Sequence, residues 1–325
     1  MTISRRGDDV SSALVLSGGG TSGVAWETGL LKGFRDNRVD LTTADLLVGT
    51  SAGAIVAAHL ATGHNLDELY AIQCRPPRPP ESVRSRNVMT LMQAMAEIKR
   101  RSNTSDRPGL DATELVELGA APVKADTETE ASRLATINRY LPSAKDWPDR
   151  QLLLTAIDLA DGPLVVWDKD SRATLVEAVA SSCAAALIAP PTTISERRDM
   201  DAGPRSGTSA QLAAGHELVV VVAIARPGPL GSPLREEIDT LRTGGSRVEV
   251  IVPNTASIAV LFPNLLDEAR RPLCAEAGYA QTFADVARPF PATPETLHAI
   301  LNREDGLVVE ADGHPSGLPS PADAR

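Results

Sequence analysis

Short apolar runs alternate with longer amphipathic stretches along this chain. Ala13–Ser17, Asp45–Val48, Gln151–Ile157, Leu164–Trp167, His216–Ala225 and Arg247–Val252 read as strands. Within His216–Ala225, the residues Leu218 to Ile224 are all apolar, the composition of a strand covered on both faces. Asp161-Gly162-Pro163 is a turn signal that joins two of these runs into a pair. Helical spacing covers Ser22–Asp36, Ser51 to about Ala61, Ser171–Cys183, Pro233–Leu241, Pro263–Ala287 in one or two pieces, and Pro294–Leu301. Thr192–Ser195 reads as one further short strand. This alternation predicts an α/β fold of three layers, α/β/α, with a mostly parallel central sheet. Ligands of such sheets lie beyond the carboxyl ends of the strands.

Two glycine-rich turns fall at that edge. Ser17-Gly18-Gly19-Gly20-Thr21-Ser22-Gly23 follows the first strand, and Gly49-Thr50-Ser51-Ala52-Gly53 follows the second. The second has the form G-x-S-x-G, a nucleophile elbow, in which a sharp strand-to-helix turn projects the serine hydroxyl above the sheet. Gly49 and Gly53 flank Ser51 because a Cβ at either place would strain or crowd the turn. Backbone N–H groups of Gly18, Gly19 and Gly20 are candidates for an oxyanion hole. The helix after Ser51 would add its positive N-terminal end.

Composition narrows the function. The chain has 325 residues, 42% hydrophobic and 23% charged, with aromatics at only 3%, so its core must rest on Ala, Val, Leu and Ile. A net charge of −10 argues against nucleic acid as a partner. Cys74, Cys183 and Cys274 are too widely spaced for a metal site or a disulfide framework. The start, Met1–Val10, is polar and carries no signal peptide core. No run reaches the ~18–20 apolar residues of a transmembrane segment. A cytoplasmic location is therefore expected.

One segment departs from the acidic average. Arg75 to Arg107 holds eight basic residues against three acidic, a balance of +5. It opens with Arg75-Pro76-Pro77-Arg78-Pro79-Pro80, a stiff extended stretch. A helix bearing Met89, Leu91, Met92 and Met95 follows. It reads as an insertion, about 75–108, within a domain over residues 1–303. Its Met face either packs on the core or meets an anionic lipid surface from outside. Residues 304–325 read as a flexible Gly-, Pro- and Asp-rich tail.

A serine nucleophile needs a base. Of the five histidines, His59, His64, His216, His298 and His314, none has a convincing local setting. Asp201-Ala202-Gly203 is a tight turn whose aspartate either accepts the serine proton or caps the next helical turn. These motifs, over roughly Ser11 to Ala225, resemble those of the patatin-like phospholipase family. Gly18-Gly19-Gly20-Thr21-Ser22-Gly23 is similar to the family's oxyanion motif, Gly49-Thr50-Ser51-Ala52-Gly53 to its elbow, and Asp201-Ala202-Gly203 to its D-G-[GA] motif. Ala178–Ala189, with Pro190-Pro191, resembles the small-residue helix and proline turn that lead to the family's aspartate. The resemblance implies a patatin-like fold, a Ser51–Asp201 dyad, an oxyanion hole at Gly18–Gly20, lipid acyl esters as substrate, and no cofactor or metal. Ser22 stands where the family usually carries Arg or Lys, and Ala202 replaces a glycine.

Three other readings compete. Gly18-x-Gly20-x-x-Gly23 also fits a dinucleotide-binding fingerprint, with Asp40 or Asp45 as its acid. A Ser51, Asp201, His216 triad fits the chain order of an α/β-hydrolase. A non-catalytic lipid-binding protein on the same fold is the third.

Overall fold

The computed structural model describes residues 10–76, 82–105, 109–120, 128–141, 146–225, 233–262 and 264–286. An eight-stranded sheet organises the chain. Its strands are β1 (Ser12–Leu16), β2 (Leu46–Thr50), β3 (Gln151–Asp158), β4 (Leu164–Trp167), β5 (Thr192–Ile194), β6 (Arg197–Asp201), β7 (Leu218–Val222) and β8 (Arg247–Ile251). The order is β5-β6-β3-β2-β1-β7-β8, with β4 paired to β3. Strands β3, β2, β1, β7 and β8 run parallel, while β4, β5 and β6 are antiparallel to their neighbours.

The period-2 pattern of β1 explains the layers. Leu14 and Leu16 enter the core on one face, with Trp26, Leu30 and Leu47. Ala13 and Val15 enter a second core on the other face, with Val219, Val248 and Leu234. Helices α1 (Gly20–Asp36), α2 (Ala52–Ala61), α7 (Leu175–Ser182), α9 (Thr255–Leu261) and α10 (Arg271–Val286) supply the first layer. Helix α8 (Pro233–Thr243) covers the other face. A buried central sheet with helices on both sides is the expected three-layer arrangement.

Helices α3 (Leu66–Gln73), α5 (Ala112–Ala120) and α6 (Glu130–Tyr140) were not legible as periodic stretches. Each buries only a few side chains: Leu66 and Leu69 in α3, Ile137 in α6. The expected helix Ser171–Cys183 begins only at Leu175, because Thr174 and Glu177 form a capping box there. The expected Pro263–Ala287 helix reduces to a 3-10 turn, Glu268–Arg270, followed by α10. Arg197–Asp201, whose Asp201 opens the turn expected at 201–203, is strand β6. Its polar sequence hides the pattern, and its antiparallel pairing with β3 and β5 is what makes it a strand.

In the basic insertion, α4 (Ser82–Ser102) packs Leu91, Ala94, Met95 and Ile98 against Leu115, Leu118 and Met200. Met92 is 62% exposed. Arg100 and Arg101 reach Glu97 and Glu117. The expected helix Pro294–Leu301, the tail, His298, His314 and most of the Arg75–Pro80 stretch lie outside the described residues. No helix among the described residues is long and apolar enough to cross a membrane.

Candidate active site

Both glycine turns meet at the carboxyl edge of β1 and β2. Ser51 stands between β2 and α2 with φ 53° and ψ −110°, in the left-handed region that an L-residue adopts only under strain. That conformation makes the elbow sharp. Gly53 makes it compact, since a Cβ there would lie 2.1 Å from the Leu16 carbonyl oxygen. The elbow is then tied down on every side. The Ser51 N–H donates to Ser182 Oγ at 2.9 Å, and the Cys183 thiol donates to the Ser51 carbonyl at 3.2 Å. Thr50 and Thr155 share a hydroxyl hydrogen bond of 2.7 Å beneath it.

Asp201 arrives from the antiparallel strand. β3 pairs Thr155 with Thr50 of β2, and the next residue, Ala156, with Asp201 of β6. That register carries the aspartate to the elbow, 5% exposed. Its Oδ1 accepts the Gly203 N–H at 2.7 Å. Its own N–H donates to Ala184. Burial pushes the Asp201 carboxyl up to about 6, opposed by hydrogen bonding from Ser51 and Gly203 and by the charge of Arg133. The same Oδ1 caps the helical turn that follows, in which Arg205 and Ser206 donate to the Ala202 carbonyl, as the capping reading of Asp201 expects.

The first turn approaches from the other side. A Cβ on Gly18 would lie 3.5 Å from the Ser51 Cβ. Gly18 donates its N–H to Gly207 at 2.8 Å, which removes one of the three expected oxyanion donors. The N–H groups of Gly19 and Gly20, at the start of α1, have no intrahelical acceptor. Gly20 needs its glycine, with φ +61° and the Leu265 carbonyl in the space a side chain would take. Ser17 fixes this loop. Its N–H donates to Glu27 at 2.9 Å, its Oγ accepts the Ile224 N–H at 2.8 Å, and its carbonyl accepts the Gly53 N–H at 2.9 Å. Glu27 is fully buried, and desolvation holds its carboxyl well above the usual range.

Ser51 and Gly20 line a cavity of about 540 Å³. Its apolar wall includes Val24, Ile55, Leu69, Ile137 and Ile188, with Arg133, His59 and His64 among the polar groups. His59 and His64 meet edge to face at 4.9 Å, and burial lowers His59 to about 4. His216 lies before β7, at the opposite edge of the parallel strands, with its Nδ1 beside the Ala213 carbonyl. Ser51, Asp201 and His216 therefore do not converge. Asp45 is tied to the start of β1 through Ser12, and Asp40 bonds Thr42, so neither acid of the dinucleotide reading reaches the glycine turn. Among the described residues, no three His, Cys, Asp or Glu side chains come together as metal ligands. Sequence reasoning missed Ser17, Arg133 and Cys183. Ser182-Cys183 ends a small-residue helix already singled out, whereas Arg133 lies in a stretch with no motif.

The family model for the patatin-like phospholipases, "Patatin: Patatin-like phospholipase", matches residues 14–214. No curated protein matches this chain. Among solved structures it is similar to VipD from Legionella pneumophila, with 12% identity over 85% of this chain and 66% of that one, at TM-score 0.40. It is also similar to the type III effector protein ExoU, with 17% identity over 84% of this chain and 53% of that one, at TM-score 0.33. The ExoU–SpcU complex of Pseudomonas aeruginosa gives 14% identity and TM-score 0.32, covering 84% of this chain and 52% of that one. The chain thus spans about two thirds of VipD and about half of ExoU. The matched family model covers most of this chain, including both glycine turns and Asp201, and the chain belongs to the patatin-like phospholipase family.

Proposed function

We propose that this protein hydrolyses lipid acyl esters through Ser51 and Asp201. The observation that carries the reading is a strained elbow serine and a buried carboxylate brought to the same sheet edge by the register of β3, beside a cavity with an apolar wall. Asp201 takes the proton of Ser51 as Oγ attacks the acyl carbonyl carbon. The oxyanion meets the N–H groups of Gly19 and Gly20, with the N-terminus of α1 behind them. The tetrahedral adduct collapses, and the leaving alkoxide takes the proton from Asp201. Water then attacks the acyl-serine, giving up its proton to Asp201, and releases the fatty acid and free Ser51. The Gly18 N–H, already bonded to Gly207, shapes the loop rather than donating to the substrate. Peripheral contact with an anionic lipid surface through Arg75–Arg107 belongs to the same reading. The exposed Met92 of α4 supports it.

The test is labelling by a fluorophosphonate probe with the adduct mapped by mass spectrometry. An adduct on Ser51, absent in Ser51→Ala and strongly slowed in Asp201→Asn, is expected. A well-folded wild type that takes no label overturns the hydrolase reading in favour of lipid binding without catalysis.

A further inference from the structure

Arg133 has no part in the chemistry above, yet it sits in the wall of the same cavity as Ser51. Thr129 caps α6, and Ile137 buries its ridge in the core. Arg133 lies one turn before Ile137, so it faces the same way. Glu130 bonds Thr193 of β5, which anchors the helix against the sheet edge. The guanidinium is thus held in place by the fold.

Its three nitrogens are used unequally. Nη2 donates to the Cys183 carbonyl at 3.2 Å, and Nη1 lies 3.5 Å from Glu128. Nε is buried with no hydrogen-bond partner among the described residues. Nε has no accessible surface, so contact with a ligand in the cavity falls to the Nη groups. Through Cys183 the same side chain is one residue from the elbow, because the Cys183 thiol holds the Ser51 carbonyl. Its charge also reaches Asp201. Arg133 therefore puts a positive charge in the cavity wall beside the elbow, where the glycine turn does not.

We propose that Arg133 determines specificity: it binds an anionic group, a phosphate or a carboxylate, carried by the substrate close to the scissile ester. This rests on the hydrolase reading and names the substrate that the cavity selects. A guanidinium binds either anion through charge-assisted hydrogen bonds. Glu128 moderates the preference by neutralising part of the charge.

The experiment compares three esters of one acyl chain: a neutral glycerol ester, a glycerophosphodiester and a dicarboxylic half-ester. Wild type, Arg133→Gln, Arg133→Lys and Glu128→Gln are each assayed for kcat/KM, with fluorophosphonate labelling of Ser51 in parallel. Arg133→Gln is expected to lose about 10- to 100-fold on an anionic ester, the worth of one charge-assisted bond, and less than about threefold on the neutral one. Arg133→Lys recovers part of the loss. Glu128→Gln raises the anionic preference, a gain that misfolding does not produce. Loss confined to the phosphodiester or to the half-ester identifies which anion the site takes. Equal loss on all three esters, or none, with Ser51 still labelled, overturns the role of Arg133 alone. A wild type that neither labels nor turns over any ester overturns the hydrolase reading, and this proposal with it.

Discussion

Replacing Asp201 with Asn is expected to stabilise the protein while disabling it. The buried Asp201 carboxyl titrates at about 6, against an ordinary value of 3.8. A raised carboxyl binds its proton more tightly when folded than when unfolded. Its ionisation therefore removes stability as pH rises from about 4 through about 6, and the full cost persists above that. The separation of roughly two units corresponds to about 3 kcal/mol at neutral pH. Asn keeps the shape of Asp and an oxygen for the Gly203 N–H, but carries no charge to desolvate. Urea unfolding of both proteins from pH 4 to pH 8 measures the difference. The variant should barely exceed wild type at pH 4 and exceed it by about 3 kcal/mol at pH 8. An Asn variant equal to or weaker than wild type at pH 8, or an advantage independent of pH, would refute the buried, desolvated carboxylate.

Further outcomes follow from the same geometry. The kcat/KM profile should fall on the acid side with an apparent pKa near 6, since Asp201 accepts a proton only when ionised; a flat profile between pH 5 and 8 contradicts its role as base. Asp199 is also raised to about 6 by burial, two residues from Asp201, so Asp199→Asn should stabilise at neutral pH and retain hydrolysis. Gly53→Ala should cost several kcal/mol, on the order of 3 or more, because its methyl meets the Leu16 backbone; soluble, fully active protein would exclude that packing. Co-sedimentation with anionic vesicles should weaken in Lys99→Glu, and no salt-sensitive binding at all would remove membrane contact from the reading.

The elements that lie deepest were the ones legible in the sequence. β1, β2, β3 and β7 are largely apolar because both faces of the sheet are covered there, while the edge strand β8 alternates Arg247-Val248-Glu249-Val250. The glycine turns were legible because the backbone there admits no side chain. β6 was not, since Arg197-Arg198-Asp199-Met200-Asp201 has no apolar period, and only its partners make it a strand. Asp201 was singled out by its motif, whereas the register of β3 against β2 and β6 is what brings it to the elbow's edge of the sheet. That register depends on the pairing of residue 50 with 155 and of 156 with 201, which no local pattern encodes. The Gly18 N–H looked available for the same reason: its acceptor, Gly207, is 189 positions away.

Ser17 holds Glu27 with its N–H, Ile224 with its hydroxyl and Gly53 with its carbonyl. A single residue thus ties the first glycine turn to the second. Helix α6 is bound to the same turn, since Arg133 holds the Cys183 carbonyl and the Cys183 thiol holds Ser51. On the proposed reading, any widening that admits a bulky acyl chain falls to α3, which lines the cavity and buries only Leu66 and Leu69.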